Sequence, residues 1–266
     1  MNKSASFALL VLFLMGCHTV PITGRKQFTI FPESTMIGMS VTNYQEFLTE
    51  NPPAPTSDKD ATMVKEMGAR MAVAVEKYLK DNGQSNLIEG FNWEFNLVND
   101  PTVNAWCMPG GKVVIYSGII AVTQNENALA VVMGHEIAHA IARHGNERMS
   151  QAAVAQVGTQ AARLLLNENP TLAKSLFNEA VGVGTGIGML AFGRNQESEA
   201  DKIGLIFCAM AAYDPREAPK FWERMAAASG GNTPPEFLST HPSNETRIAD
   251  LNAYMPEAMK YYKPKS

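Results

Sequence analysis

The stretch GHEIAHAIARHG, residues 134 to 145, decides how this chain is read. His135, Glu136 and His139 form the pattern H-E-x-x-H. On an α-helix, residues four apart lie within about 40° of each other, so His135 and His139 share a face and can share one metal ion. Glu136 flanks that face, where a carboxylate can take a proton from a water activated by the metal. His144 follows His135 by nine positions, which on a continuing helix turns it about 180° away. It is expected to be a helix-end cation ahead of a C-capping Gly145.

Two histidines do not complete a catalytic zinc site, which takes three protein ligands and keeps one position open. The candidates lie in ESEAD, residues 197 to 201. Glu197 and Asp201 are four apart and share a helix face, whereas Glu199 points about 200° away from Glu197. The pair can supply both a metal ligand and a carboxylate behind a ligand histidine, whose second ring nitrogen needs an acceptor. Glu199 is expected to be a solvated charge near a helix start. Cys107 is a rival third ligand, as in a deformylase, but that arrangement leaves the acidic pair idle. A zinc-binding chaperone or scaffold without catalysis is the other alternative. Structural sites prefer four closed ligands, and Glu136 would have no task in one.

Working outward, Thr123 and Glu126 are spaced as a capping box that opens the H-E-x-x-H helix. Before it, NAWCMPGGKVVIYSG reads as strand, Pro-Gly-Gly turn, strand. FNWEFNLV, residues 91 to 98, alternates Phe91, Trp93, Phe95 and Leu97 with polar residues, the mark of a half-buried strand. A helix is predicted over about 59 to 82, closed by Asn82-Gly83, after the Pro-rich break NPPAPTSD. MIGMSVTNYQEFLTE, residues 36 to 50, holds a short helix candidate. Helices are also predicted in NQESEADKIGLIFCAMAA, PREAPKFWERMAAA and SNETRIADLNAYM, with PPEFLSTHPS between the last two as a loop. From Ala180 to Gly193 the chain carries no charge and is glycine-rich. That run is expected either to cover the cleft or to pack as a buried hairpin.

Residues 1 to 16 read as a signal peptide. A single Lys3 precedes an apolar run too short to span a bilayer. Leu14-Met15-Gly16-Cys17 resembles a bacterial lipobox, which implies cleavage before Cys17, lipidation of Cys17 and a membrane anchor. Residues 17 to 56 are expected to be a tether and lead-in, and residues 57 to 266 the enzymatic domain. Two further cysteines, Cys107 and Cys208, are either bridged or separately buried. The chain has 266 residues and a net charge of −4, with no basic surplus to argue for a nucleic-acid partner.

The ordered set of His135-Glu136-Ile137-Ala138-His139, then Glu197-Ser198-Glu199-Ala200-Asp201, then THPSNETRIADL resembles the gluzincin peptidases. The closest group is that of HtpX, the CAAX prenyl endopeptidases, the mitochondrial overlapping-activity protease and BepA-like enzymes. The resemblance runs from about residue 20 to 255 and includes PITGRKQ and NAWCMPGGKVVIYSGI. It implies an α+β, mostly helical zincin-type domain with a small antiparallel sheet beside the H-E-x-x-H helix. It also implies one zinc ion held by His135, His139 and Glu197, with Glu136 as general base. Asp201 would support a ligand and His241 would stabilise the oxyanion. An edge strand at Val113, Val114, Ile115 and Tyr116 would pair with the polypeptide substrate. The expected enzyme is a metalloendopeptidase for misfolded or unassembled envelope proteins, lipid-anchored at a bacterial outer membrane and facing the periplasm.

Overall fold

The computed structural model describes residues 17–20, 22–181, 193–228, 236–241 and 246–264. The centre of the fold is a three-stranded sheet in the order β3 (Glu94–Val98), β5 (Lys112–Tyr116), β4 (Ala105–Met108). β4 and β5 form the expected hairpin, turned by Gly110 and Gly111 at φ +85° and +81°, where a side chain would be strained. β3 pairs with β5 in parallel, so the sheet is mixed where an antiparallel one was expected. β5 is hydrogen-bonded on both sides and is the central strand. The assignment of Val113 to Tyr116 as a substrate-pairing edge therefore fails, because its backbone groups are already used. Among the described residues, β4 pairs with no strand but β5.

Both faces of this sheet are covered, which is why VVIY is continuously apolar. Phe95, Leu97, Cys107, Val113 and Ile115 face one core. Trp106, Met108, Val114 and Tyr116 face the other. The first core contains α2 (Lys59–Asp81), α4 (Glu126–Ile141) and α7 (Arg194–Met210). The second contains α1 (Glu33–Glu50), α5 (His144–Glu168) and α6 (Pro170–Val181). α2 is capped by Asp58, whose side chain accepts from the amides of Asp60 and Ala61, and it buries positions 61, 64, 67, 68, 71 and 75 at helical spacing.

Two local expectations shift. Thr123 does not cap α4; it ends a separate short helix, α3 (Ser117–Thr123). Gln124 then takes φ +63°, and Asn125 caps α4 by accepting from the amide of Ala128. At the other end α4 stops at Ile141, and Arg143 is left-handed at φ 57°, ψ 33°. The chain turns there, and His144 starts a new helix in a new direction.

α4 is buried all around: every residue from Ala128 to Ile141 is inside. α7 crosses it at a pair of glycines. A Cβ on Gly204 would lie 2.8 Å from the amide nitrogen of His135, and one on Gly134 would lie 2.8 Å from the carbonyl oxygen of Gly204. Only glycine at both places lets the two backbones approach this closely, and that approach brings the acidic start of α7 to the H-E-x-x-H face.

Residues 17 to 56 are built into the body instead of trailing from it. β1 (Cys17–Thr19) pairs antiparallel with β2 (Lys26–Phe28), and α1 packs on the sheet. The remaining helices are α8 (Glu217–Ala228), α9 (Glu236–Thr240) in what was read as a loop, and α10 (Arg247–Ala258). Most of the uncharged run read as a cleft cover or a buried hairpin, residues 182 to 192, lies outside the described residues. Cys107 and Cys208 are both free and buried. Among the described residues no helix is long and apolar enough to cross a membrane.

Candidate metal centre and active site

α4 presents His135 and His139 on one face, as the spacing requires, with their Nε2 atoms 3.0 Å apart. Across the glycine crossing, α7 supplies Glu197, whose Oε1 lies 3.4 Å from His139 Nε2 and whose Oε2 lies 3.5 Å from His135 Nε2. His241, just past α9, adds its Nδ1 at 3.0 Å from Glu197 Oε1 and 3.2 Å from His135 Nε2. The four donor atoms all lie within 4.8 Å of one another, and all four residues are buried. Cys107, the rival ligand, is not a member of this group.

Three imidazole nitrogens and a carboxylate converging in a buried space are the donor chemistry of zinc. Glu136 strengthens the fit. Its Oε1 is buried, makes no hydrogen bond among the described residues, and lies 3.5 Å from His241 Nε2. Burial pushes the Glu136 pKa up from its ordinary value. A carboxylate oxygen left without a hydrogen bond beside a metal-binding group is suited to moving protons.

The surroundings sort the helical faces as expected for one acid and differently for another. Asp201 Oδ1 sits 3.0 Å from His135 Nδ1, behind the ligand ring. Arg247, from α10, binds Glu197 Oε2 at 2.7 Å and Asp201 Oδ1 at 2.8 Å, and its guanidinium lies 3.4 Å above the centre of the Trp222 ring. Burial raises the Glu197 pKa, but the charges of His241 and Arg247 outweigh it and hold the carboxyl well below its usual range. Burial opposes the charged form of His135 too, yet its bonds to Asp201 and Glu197 win and place it at about 9. Arg247 was not singled out in the sequence. Its signal was a lone arginine in the apolar register of TRIADL, six residues after His241.

Two residues are not where the sequence put them. Glu199 is buried and paired, not solvated: His144 Nε2 lies 3.2 Å from its Oε2, and Thr23 and Arg25 also bind it. His144 is not a helix-end cation on the far side. The left-handed Arg143 swings it back, so that its Nδ1 lies 2.8 Å from His139 Nδ1.

This centre defines a metal-dependent hydrolase with an H-E-x-x-H helix and a glutamate on a second helix. The family model described as peptidase family M48 matches residues 59–255, and the chain belongs to that family. Zinc is its cofactor, and it is a metalloendopeptidase by family. The chain is 32% identical over 249 residues to the mitochondrial metalloendopeptidase OMA1 of Schizosaccharomyces pombe, across 93% of this chain and 69% of that protein. It is 28% identical over 266 residues to the human mitochondrial metalloendopeptidase OMA1, across 96% of this chain and 49% of that protein. It is 34% identical over 163 residues to the beta-barrel assembly-enhancing protease of Escherichia coli, across 59% of this chain and 33% of that protein. The chain thus spans about half or less of the length of the last two. The bacterial outer-membrane location expected from the N-terminus is corrected by these matches. The relatives that align over nearly the whole chain are named as mitochondrial proteins, and the bacterial one aligns over a smaller part.

Proposed function

We propose that the chain cuts extended polypeptides internally at this centre, with His135, His139 and Glu197 holding the zinc and Glu136 as the proton carrier. The observation that carries the reading is the buried Oε1 of Glu136, without a hydrogen bond among the described residues, beside three converging imidazoles and Glu197. Zinc, when bound, polarises the scissile carbonyl and acidifies the attacking water. Glu136 Oε1 accepts the proton of that water and returns it to the leaving nitrogen. Asp201 fixes His135 by accepting from its Nδ1–H, and Arg247 holds both carboxylates in place. Three of the four converging residues would hold the metal and leave a position for water, and His241, whose Nε2 lies 3.5 Å from Glu136 Oε1, would donate to the oxyanion. The edge of β4 that pairs with no other strand among the described residues, beside α4, is the part of the sheet to which an extended substrate adds. Misfolded or unassembled chains present such segments, and lipid on Cys17 holds the enzyme at a membrane surface.

Glu136→Gln tests the assignment. It removes no ligand, so zinc content stays at one per chain while cleavage of an unfolded protein such as casein falls by about three orders of magnitude or more, the scale of a lost general base together with its electrostatic role. Cleavage near the parent rate would refute it.

A further inference from the structure

The two zinc histidines are supported differently. His135 Nδ1 meets the carboxylate of Asp201 directly at 3.0 Å. His139 Nδ1 meets another imidazole, His144 Nδ1, at 2.8 Å, and His144 Nε2 meets Glu199 Oε2 at 3.2 Å. A His139 that offers its Nε2 lone pair to a metal carries its proton on Nδ1. His144 must then accept at Nδ1 and carry its own proton on Nε2, where Glu199 accepts it. One tautomer pair satisfies both contacts, and a carboxylate at Glu199 is what selects it.

Glu199 is in turn held from the N-terminal hairpin. Thr23 Oγ1 donates to its Oε1 and Arg25 Nε to its Oε2. The two terminal nitrogens of Arg25 form a fork on Glu147, at 2.8 Å each. Gln196, next to Glu197, donates to the same Glu147 at 2.7 Å. Thr23 and Arg25 lie outside the residues 59–255 matched by the family model. They reach across the fold to residues on α5 and α7, and the carboxylate they grip is three bonds of a relay away from the metal.

We propose that Arg25, Glu199 and His144 are positioning residues for the zinc ligand His139, so that the docked hairpin of residues 17 to 28 sets how tightly the metal is held. The inference rests on His139 being a ligand. Removing an outer partner of a metal histidine typically costs 10–100-fold in metal affinity. Arg25→Gln and Glu199→Ala are each expected to weaken zinc binding by about that factor. Because they break one chain of contacts, the double variant is expected to bind zinc no more weakly than the worse single variant. His144→Asn keeps an acceptor near the Nδ1 position and is expected to retain most of the affinity lost in His144→Ala. Arg25→Lys, which keeps charge but not the fork, falls between parent and Arg25→Gln.

The measurement is zinc affinity by chelator competition on the full chain, paired with the urea midpoint of the metal-free protein. His139→Ala and Asp201→Asn serve as references. Weakened zinc binding in the Arg25, Glu199 and His144→Ala variants, beyond any change in metal-free stability and non-additive between Arg25 and Glu199, supports the relay. If His139→Ala empties the site while Arg25→Gln and Glu199→Ala bind zinc as the parent does, the relay is overturned and the ligand assignment stands. If His139→Ala itself binds zinc normally, the ligand assignment has failed. Equal losses in His144→Asn and His144→Ala, matched by equal drops in metal-free stability, would reduce His144 to packing and also overturn the relay.

Discussion

Gly204→Ala asks how closely the site depends on the crossing of α4 and α7. The added Cβ would meet backbone on three counts: His135 N at 2.8 Å, Gly134 C at 2.9 Å and Gly134 O at 3.0 Å. Comfortable carbon contacts begin near 3.5 Å, so the helices must part by roughly 0.5–1 Å. None of the obstructing atoms belongs to a side chain that can swing away. Overpacking of this kind costs about 1–3 kcal/mol. The larger effect falls on the metal. Glu197 lies two turns up α7 from Gly204, and a stiff helix carries the shift to it. Zinc–ligand distances tolerate only about 0.2 Å, so Glu197 leaves bonding range or the helix bends to keep it. Zinc affinity is expected to fall tenfold or more, equivalent to about 1.4 kcal/mol. Gly38→Ala is the control, because a Cβ there meets nothing within 4 Å. It should leave zinc binding alone and stabilise α1 by about 0.5–1 kcal/mol. The assays are urea unfolding and chelator competition. A Gly204→Ala protein with the parent's midpoint and zinc affinity within twofold would refute the reasoning.

Arg247→Met leaves the buried Glu197 and the largely covered Asp201 without their shared cation, and the metal-free protein is expected to lose about 3–5 kcal/mol in denaturant unfolding; an unchanged midpoint would mean the clamp does not act. Acid stability should track Glu147: burial raises its pKa, but the Arg25 fork and Gln196 outweigh that and hold the carboxyl below its ordinary 4.5. A depressed carboxyl contributes stability that is present above the unfolded value and is lost as pH falls through the folded one. Unfolding free energy should thus drop below about pH 4.5, and Glu147→Gln should be less stable near neutrality but flatter across that acid limb. Cys17→Ala is expected to abolish labelling by palmitate and to move the protein from the membrane pellet to the soluble fraction; persistent pelleting would show a different attachment.

What the sequence made legible was what repeats within one helix. H-E-x-x-H and the four-residue gap from Glu197 to Asp201 are statements about angles along a single axis, and the structure keeps both faces. The hairpin of β4 and β5 was legible because its turn is local. The parallel pairing of β3 with β5 was not, since it skips the intervening strand and leaves no turn signal. His144 and Glu199 were misread for one reason: a periodicity argument presumes an unbroken helix and an empty solvent side. Arginine is no turn former, so nothing announced the left-handed Arg143. Nothing in the spacing announced that a hairpin more than a hundred residues upstream would fill the far side of α7. Arg25 is visible only through space.

The order in which the metal donors occur along the chain has a consequence for synthesis. His135 and His139 emerge from the ribosome first, Glu197 much later, and His241 and Arg247 later still. Until then α4, buried on every side in the finished fold, has neither α7 nor α8 to cover it, and its two histidines make at best a weak two-donor site. A nascent chain therefore cannot hold zinc tightly, and cannot cut its neighbours, until α7 and α8 have packed onto α4 and His241 has followed them. Metal capture and the closing of the core become one late event, so an incomplete chain is both inactive and recognisable by the greasy helix it leaves exposed.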